Sequence, residues 1–306
     1  MLVYIANYLG ERGMDVVLFV PQGRVDTPFR IKVDVEEMPI REYISRMRRF
    51  QPDAVIYNFF LTAYLFPLFR KSRGVYFVQD YEPSFFPLYH PFRYLARLTY
   101  SFPLKKIATT RWLMSRVGAE DFVYPGVDTD VFTFRPKGQF DGRILMFPRR
   151  HPHKGLDRIL EIAPVLKSRG YELIFATRDS SLKPLLSEYG RVVSPRSDEE
   201  LVSLYHDADV LLYTTRMEAF GLPLFEAMAT GTPFITSHYP VLDELIPDDM
   251  RELVLRDFKI QAVMNTLERL KDEDYRRHVV MRGRKLVEEK FTLQSFLKGF
   301  EEKALT

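Results

Sequence analysis

Residues 214–237 read TTRMEAFGLPLFEAMATGTPFITS, and the interpretation of the whole chain starts from this stretch. A strand ends near Thr214, a polar loop follows, and a helix begins near Leu222 with Pro223 in its first turn, where a missing amide hydrogen costs least. The helix stops at Gly231, and another strand follows at once. The stretch therefore predicts a helix whose N-terminus lies beyond the carboxyl end of a parallel strand.

Short apolar runs alternate with helical patterns over nearly the whole chain, which is typical of parallel sheets with crossover helices. The predicted strands of the first half are residues 15–20, 53–57, 74–79 and 105–110. Those of the second half are residues 143–147, 171–176, 209–214 and 232–237. We therefore predict an α/β chain of two Rossmann-like domains that face a central cleft.

A segment dense in glycine, proline and aspartate, YPGVDTDVFTFRPKGQFDG, places the domain boundary near Pro136. The predicted domains are residues 1–136 and 137–290, followed by a C-terminal helix in 291–306. Residues 1–13 read as a helix that runs directly into a strand. The usual first Rossmann strand and its glycine-rich turn are not found before it. A sheet edge left unpaired in this way could bind a partner chain.

The composition of the chain excludes several classes of protein function. The chain has 306 residues, 46% of them hydrophobic and 28% charged, which fits a globular protein with more than one core. It has no cysteine, which excludes disulfides and thiolate chemistry. Its formal charge of +3 is too small to indicate a nucleic-acid partner. The first residues lack the features of a secretory signal, so we expect a cytoplasmic location.

Aromatic residues of the first half are interleaved with basic ones, a pattern that can favour an anionic membrane surface. The basic residues are Arg46, Arg48, Arg49, Arg70, Lys71, Arg73, Arg93 and Arg97. Solvated basic faces are also common, so both peripheral contact with the inner membrane face and no contact stay open. The most apolar run, residues 57–69, is too short to span a bilayer and is expected to be buried or interfacial.

Two glutamates in the first stretch could hold opposite ends of a nucleotide sugar. Glu218 lies in the loop, where it can accept hydrogen bonds from sugar hydroxyls, and Glu226 lies about one turn into the helix, where it could hold a ribose diol. Free amides of Phe220, Gly221 and Leu222 would point out of the helix N-terminus, a geometry that suits phosphate. Isolated glutamates are usually surface charges, but this local context favours a binding site.

A second loop supplies positive charge. Residues 147–160 read FPRRHPHKGLDRIL, in which Arg149 and Lys154 lie between a strand and a helix. A guanidinium and an ammonium can neutralise a diphosphate leaving group as a glycosidic bond breaks. Loop cations alone usually face solvent, but together with the glutamates we predict that these two act on the diphosphate.

Two motifs resemble metal sites, and we expect neither to bind a metal. Asp128, Thr129 and Asp130 form a DxD triplet, but they lie in the linker and fit a turn. His151 and His153 have no third ligand nearby in the sequence. We therefore predict no metal and no cofactor other than a nucleotide-sugar substrate.

With these motifs the sequence resembles retaining glycosyltransferase family 4, of the GT-B fold. Glu218 and Glu226 match the E-x7-E motif of that family. Arg149 and Lys154 match an arginine and a lysine of its first C-domain loop, and PGVDTDVF matches its linker signature. The resemblance covers the whole chain except the first strand.

The resemblance implies an enzyme that moves a sugar from a nucleotide-diphosphate donor to a glycan, lipid or small-molecule acceptor. Transfer would need no metal and would retain the anomeric configuration. Glu218 would contact the donor sugar with help from the nearby backbone, Glu226 would bind the ribose, and Arg149 with Lys154 would bind the diphosphate.

Two further features follow from the resemblance. The segment VYFVQDYEPSFFP, residues 75–87, is similar to bacterial rhamnosyltransferases of cell-surface polysaccharide assembly, so dTDP-rhamnose is a candidate donor alongside other hexoses. Gln79 stands where many members have a histidine that contacts the donor sugar, and with Asp80 it could bind a hydroxyl or serve only as a strand end. The final helix is implied to cross back to the N-terminal domain, with Phe296 and Phe300 at the junction.

Two alternatives stay open. The first is a non-catalytic or partner-dependent GT-B subunit that binds nucleotide or another chain, and it is motivated by the absent first strand. The second is a sugar phosphorylase or epimerase on the same architecture, which the fold alone does not exclude.

Overall fold

The computed structural model describes residues 1–21, 30–47 and 49–305. Within it the chain divides into two compact units, the first comprising Met1–Pro125 with Gln294–Thr306 and the second Gly126–Leu293. Arg48 and the side chain of Arg46, both named above as basic residues, lie outside the described part. Among the described residues, no helix combines the length and the apolar character needed to cross a bilayer.

Unit 1 is built on short parallel strands. They are β1 (Val17–Pro21), β2 (Asp34–Met38), β3 (Ala54–Tyr57), β4 (Arg73–Val78), β5 (Lys105–Ala108) and β6 (Asp121–Phe122). Strands β1 and β2 pair with each other, and β3 to β6 form a second sheet in chain order. The helices are α1 (Leu2–Glu11), α2 (Ile40–Met47), α3 (Phe60–Ala63), α4 (Pro91–Thr99) and α5 (Arg111–Val117), with 3₁₀ turns at Phe66–Phe69 and Glu82–Phe85.

Unit 2 contains a six-stranded parallel sheet. Its strands are β7 (Arg143–Met146), β8 (Glu172–Ala176), β9 (Arg191–Val193), β10 (Val210–Tyr213), β11 (Phe234–Ser237) and β12 (Val254–Leu255). Its helices are α6 (Leu156–Ser168), α7 (Lys183–Leu186), α8 (Asp198–Asp207), α9 (Leu222–Thr230), α10 (Leu242–Leu245), α11 (Ile260–Leu270) and α12 (Glu273–Lys290). Short 3₁₀ turns occupy Pro152–Lys154, Ser180–Leu182 and Asp248–Leu253.

The strand order of this sheet is β12-β11-β10-β7-β8-β9. The chain therefore runs outward in one direction from β7 and outward in the other from β10, and these two strands pair in parallel, with Val210 beside Ile144. In open parallel sheets, ligands bind beyond the carboxyl ends of the strands at the point where the order reverses. In unit 2 that point lies between the loops that follow β7 and β10.

The central strands and helix α9 of unit 2 are apolar because they lie in its hydrophobic core. All four residues of β10 and of β11 are buried, as expected for strands covered on both faces. Helix α9 reads LPLFEAMAT, and six of its nine residues are buried because it packs against the sheet and against α12. A helix that is apolar nearly all round is typical of such an interior position.

The sequence predictions for the elements are largely confirmed. All eight predicted strands are present, with ends shifted by a few residues, and the α/β class with parallel sheets is confirmed. The prediction missed β2, β6, β9 and β12. Strand β2 reads DVEEM and the other three have two or three residues each, so neither apolar alternation nor length marked them.

Unit 2 begins upstream of the predicted boundary at Pro136. The segment before this proline hydrogen-bonds to other parts of unit 2: the Val127 amide donates to Phe291 O at 2.8 Å, and the Arg135 amide donates to Thr230 O at 2.9 Å. The turn-forming composition of this segment is a local signal, whereas these long-range backbone bonds have none.

The last helix, α13 (Leu293–Leu305), packs within unit 1 over nearly all of its length. Phe296 and Phe300 are fully buried there. Their ring centroids lie 6.0 and 4.9 Å from that of Phe77 in β4. The C-terminal helix therefore supplies part of the hydrophobic core of unit 1.

We expect Phe300→Ala to lower the free energy of unfolding of unit 1 by about 3–5 kcal/mol, because it removes a buried ring and leaves a cavity. Lys298→Ala is the matched control, since Lys298 is exposed on the same helix, and its effect should stay within about 0.5 kcal/mol. Urea denaturation followed by circular dichroism measures both. Equal stability of the two variants would contradict the placement of α13 in the core.

Candidate functional site

The loops that follow β7 and β10 are joined by hydrogen bonds at the carboxyl edge of the sheet. The Thr214 hydroxyl donates to Gly155 O at 3.1 Å and the Thr215 hydroxyl to His153 O at 2.9 Å. The Arg216 amide also donates to His153 O, at 2.6 Å. Gly155 has φ +68°, and a Cβ at this position would lie 2.1 Å from Thr214 O. Only glycine permits this approach.

This approach brings Lys154 and Glu218 together. Lys154 Nζ lies 2.7 Å from Glu218 Oε1, and both side chains are largely shielded from solvent, with exposures of 20% and 13%. The Tyr213 hydroxyl, at the end of β10, donates to the same carboxylate oxygen at 2.6 Å. Burial and the neighbouring Glu218 raise the pKa of Tyr213 well above its usual value, so its hydroxyl stays a donor. The Glu218 carboxylate is thus held between a cation and a neutral donor.

Glu226 lies half-buried on the first turns of α9, not exposed on the helix surface. Its Oε2 accepts a hydrogen bond of 2.7 Å from the Tyr205 hydroxyl of α8. Burial raises the pKa of Glu226 to about 7, an effect that the Tyr205 hydrogen bond and the charge of Arg149 only partly oppose. The carboxyl group of Glu226 therefore holds its proton more tightly than an exposed glutamate does.

Arg149 is exposed just beyond β7. Its charge acts on Tyr205, Tyr213 and Glu226, which places it at the same edge of the sheet as the two glutamates. Within the described part of the chain its guanidinium has no ion-pair partner, so it can bind an incoming anion. Arg150 turns instead to the next loop of the sheet, where its Nε donates to Ser181 Oγ at 2.9 Å.

The N-terminus of α9 completes this edge. Gly221 precedes the helix with φ +91°, and no side chain from the described residues caps it. The amides of Phe220, Gly221 and Leu222 form no hydrogen bond within the part of the chain that the structure describes. The Phe220 ring stacks on Phe225 at 4.3 Å in the core, so only its backbone can serve a ligand. These amides and the helix dipole favour an anion here.

Tyr239 lies directly behind this turn. A Cβ on Gly221 would lie 2.3 Å from the Tyr239 hydroxyl, so glycine is required here for space as well as for its backbone angle. The hydroxyl is buried and has no hydrogen-bond partner among the described residues. Burial, with a smaller effect of Glu218, raises the pKa of Tyr239 well above its usual value. A buried hydroxyl without a partner among the described residues thus lies beside the turn that precedes α9.

The motifs considered as metal sites are local structures. Asp128 Oδ1 accepts a hydrogen bond of 3.1 Å from the Asp130 amide, which is the expected turn. The rings of His151 and His153 lie 5.3 Å apart, and burial, followed by the nearby positive charges, lowers the pKa of His151. In the described ranges no group of three or more His, Cys, Asp or Glu side chains could hold a metal ion. The absence of a metal requirement stays a prediction.

The structure places every site residue predicted in unit 2 at one edge of its sheet. Gln79 and Asp80 lie in unit 1, just after β4, where Thr109 Oγ1 donates to Gln79 O at 3.4 Å. The sequence reasoning missed the three tyrosines at positions 205, 213 and 239. Tyr213 could have been found, because a tyrosine that ends a buried strand needs a partner for its hydroxyl. The other two reach the site from distant elements and leave no local signal.

Comparison with known proteins gives a family and several relatives. The profile of the family described as "Glycosyl transferases group 1" matches residues 134–286. MMP alpha-(1->4)-mannosyltransferase from Mycolicibacterium hassiacum is 31% identical over 182 residues, which cover 56% of this chain and 44% of that protein. D-inositol 3-phosphate glycosyltransferase from Arthrobacter sp. is 30% identical over 178 residues, covering 50% and 42%. The matches therefore span less than half the length of these relatives.

Solved structures resemble this fold over nearly the whole chain. Sucrose-phosphate synthase from Thermosynechococcus elongatus superposes with a TM-score of 0.77 at 16% identity, covering 97% of this chain and 90% of that one. HepE from Anabaena, in complex with UDP and glucose, gives a TM-score of 0.77 at 15% identity, covering 100% and 95%. At such identities the likeness concerns the fold, and it confirms the predicted two-domain GT-B class.

We expect Tyr239→Phe to raise the free energy of unfolding of unit 2 by about 1 kcal/mol or more, because it removes a buried hydroxyl without a partner. Tyr205→Phe is the matched control from the same core. It loses the hydrogen bond to Glu226 and should lower stability by about 1 kcal/mol. Urea denaturation of both variants measures whether each change raises or lowers the free energy of unfolding. A loss of stability in Tyr239→Phe would show that its hydroxyl is satisfied.

The raised pKa of Glu226 predicts a pH dependence of stability. Because the folded state holds the proton to about pH 7 and the unfolded chain releases it near pH 4.5, the contribution is fully present below pH 4.5 and is lost as pH rises through 7. Glu226→Gln has no carboxyl proton to release, so its stability does not fall in this way. Relative to the parent protein, the variant should become more stable by about 1–3 kcal/mol as pH rises from about 5 to about 8.

The quantity to measure is the difference in free energy of unfolding between Glu226→Gln and the parent protein at each pH. Burial also raises the pKa of Glu82, in unit 1, to about 7, but that contribution is common to both and cancels. Denaturation curves that differ by the same amount at every pH would contradict the assignment to Glu226.

Proposed function

Because the chain belongs to the glycosyl transferases group 1 family, we propose that it transfers a sugar from a nucleotide-diphosphate donor to a glycan, lipid or small-molecule acceptor. The observation that carries the proposal is the Lys154–Glu218 ion pair beside the uncapped N-terminus of α9. Cations, free amides and carboxylates meet there at the strand-order reversal, where a phosphate-linked sugar needs all three.

The diphosphate is proposed to bind between Arg149, Lys154 and the α9 amides. The guanidinium of Arg149 can grip two phosphate oxygens at once. An ammonium has three donors, so Lys154 can keep its hydrogen bond to Glu218 and still donate to phosphate. The first amides of α9 add a fixed partial positive charge without any rearrangement.

The same groups would assist bond cleavage. As the glycosidic bond of the donor breaks, negative charge accumulates on the diphosphate, and fixed positive charges stabilise that transition state more than the ground state. Two cations and a helix N-terminus can supply this stabilisation without a divalent ion, so we propose a metal-independent transfer. By the family resemblance, the transfer retains the anomeric configuration of the donor sugar.

The carboxylates are proposed to recognise the two ends of the donor. Glu218 is oriented by Tyr213 and Lys154 and can accept hydrogen bonds from hydroxyls of the transferred sugar. Glu226 can hold the ribose hydroxyls, and a carboxyl group with a pKa of about 7 can accept from one hydroxyl and donate to another.

The relatives support a hexose donor. One curated relative is named as a mannosyltransferase, and one structural neighbour was solved with UDP and glucose. A hexose on a nucleoside diphosphate is therefore the donor class we propose, with dTDP-rhamnose as a second candidate from residues 75–87. A subunit that binds nucleotide without turnover is the alternative function.

We expect Lys154→Ala and Glu218→Ala each to lower kcat/KM for the donor by about ten- to a hundredfold or more, because a charge-assisted contact contributes about 1.5–3 kcal/mol. Arg150→Ala is the matched control, since its guanidinium is bonded to Ser181 in the loop after β8 and not to the loop that carries Glu218. Nucleotide release from a panel of nucleotide sugars, with and without EDTA, measures the effect and the metal requirement.

Three outcomes separate the alternatives. Equal turnover in all three variants would reject the site. Turnover that is lost in EDTA would reject metal independence, and an inverted anomeric signal in the NMR spectrum of the product would reject retention. Saturable nucleotide binding that Lys154→Ala abolishes, without turnover of any donor, would favour the non-catalytic alternative.

A further inference from the structure

Unit 1 exposes a cluster of large apolar side chains around α4. Of the twelve such side chains that are exposed in the described part of the chain, eight lie between residues 61 and 98. Five of them are called here the α4 surface: Leu88, Tyr89, Tyr94, Leu95 and Leu98. Phe92 is partly exposed, but its ring packs against Phe60 and Phe86. Apolar clusters of this kind mark contact with a protein or a membrane, whereas scattered exposed residues need no explanation.

The α4 surface is a projecting feature. Leu88 and Tyr89 are 72% and 85% exposed, and Tyr94 is 63% exposed. The Tyr94 hydroxyl donates to Leu88 O at 3.1 Å, so the loop tip and the helix form one surface. The opposite side of α4 is buried through Ala96 and Thr99. The helix thus turns one apolar side to the core and a second one to solvent.

The framework beneath this surface is fixed. Arg93 Nη1 donates to Pro83 O and to Phe86 O, both at 3.0 Å, and so ties the helix to the preceding loop. The Tyr64 hydroxyl donates to Leu95 O at 3.0 Å from the neighbouring segment. The exposed side chains are therefore held outward by a structured backbone.

The elements packed against α4 present no exposed acidic side chain. They are α3 and the 3₁₀ turn Glu82–Phe85, and their one acidic residue, Glu82, is buried and accepts a hydrogen bond from the Tyr76 hydroxyl. Arg97 is exposed on α4 itself, among the apolar side chains. Projecting Tyr and Leu side chains beside an exposed cation, with no exposed acidic residue on the neighbouring elements, match the chemistry of an anionic lipid interface.

We propose that the α4 surface inserts into the headgroup region of an anionic lipid bilayer, with Leu88 and Tyr89 as the deepest side chains and Arg97 at the level of the phosphates. A bilayer is favoured over a protein partner because the exposed Tyr and Leu side chains have the cation Arg97 among them and no exposed carboxylate on the elements packed against α4, which suits anionic headgroups. This inference is independent of the proposed transfer reaction.

The test is sedimentation of the full chain with vesicles of phosphatidylcholine containing phosphatidylglycerol, compared with vesicles of phosphatidylcholine alone. The chain should bind the anionic vesicles, and salt should weaken binding. The double variant Leu88→Ser/Tyr89→Ser should lower the partition coefficient by about tenfold or more, because it removes the inserted apolar area. Arg97→Gln should lower it about fivefold, on anionic vesicles only.

Met281→Ser is the matched control, since Met281 is an exposed apolar residue of unit 2. It should bind as the parent chain does, and none of the variants should change the circular dichroism spectrum or nucleotide release in solution. Three results would overturn the proposal: no binding of the parent chain to anionic vesicles at low salt, equal binding of the double variant, or a dimer in solution that the double variant dissociates. Nucleotide release is scored separately, so failure of either proposal is recognised by itself.

Discussion

Two loops of unit 2 touch at Gly155, and the pairing of Lys154 with Glu218 depends on this contact. The strand order reverses between β7 and β10, so the loops that follow them emerge side by side. Side chains between the loops would hold them apart. A Cβ at Gly155 would overlap Thr214 O, and its absence allows the hydroxyls of Thr214 and Thr215 to join the loops. Sheet topology and one glycine therefore decide that Lys154 meets Glu218.

The two glutamates at this edge of the sheet differ in the groups that surround their carboxylates. Glu218 is compensated by a cation and a hydroxyl donor, whereas Glu226 has one hydrogen bond and a raised pKa. A raised pKa does not by itself identify a binding site, because Glu82 in unit 1 has one too, and its carboxylate is held by Tyr76 at 2.5 Å. The surroundings of Glu226 make the difference: an exposed Arg149 and an uncapped helix N-terminus act at the same edge. A carboxyl group with a shifted pKa beside such groups is typical of functional sites.

The sequence predicted most of the fold because its signals are local. Apolar runs bounded by glycine, proline and aspartate identified eight strands, and Pro223 with Gly231 bounded α9 correctly. Strands of two or three residues carry too few positions for a pattern, so β6, β9 and β12 were missed. The separate site residues could also be named from their loops. Their pairing could not, because Lys154 and Glu218 are 64 positions apart and only strand order joins them.

Exposed apolar surface around α4 requires a different explanation from buried apolar surface. Burial of Phe60 and Ala96 contributes to folding, but a tyrosine left 85% exposed at position 89 gains little from the folded state. Folding alone therefore does not account for the α4 surface. The hydrogen bonds of Arg93 and Tyr94 fix its backbone, and a surface that is ordered before it binds loses less entropy when it docks. An ordered backbone beneath exposed side chains therefore favours the proposed insertion into a bilayer.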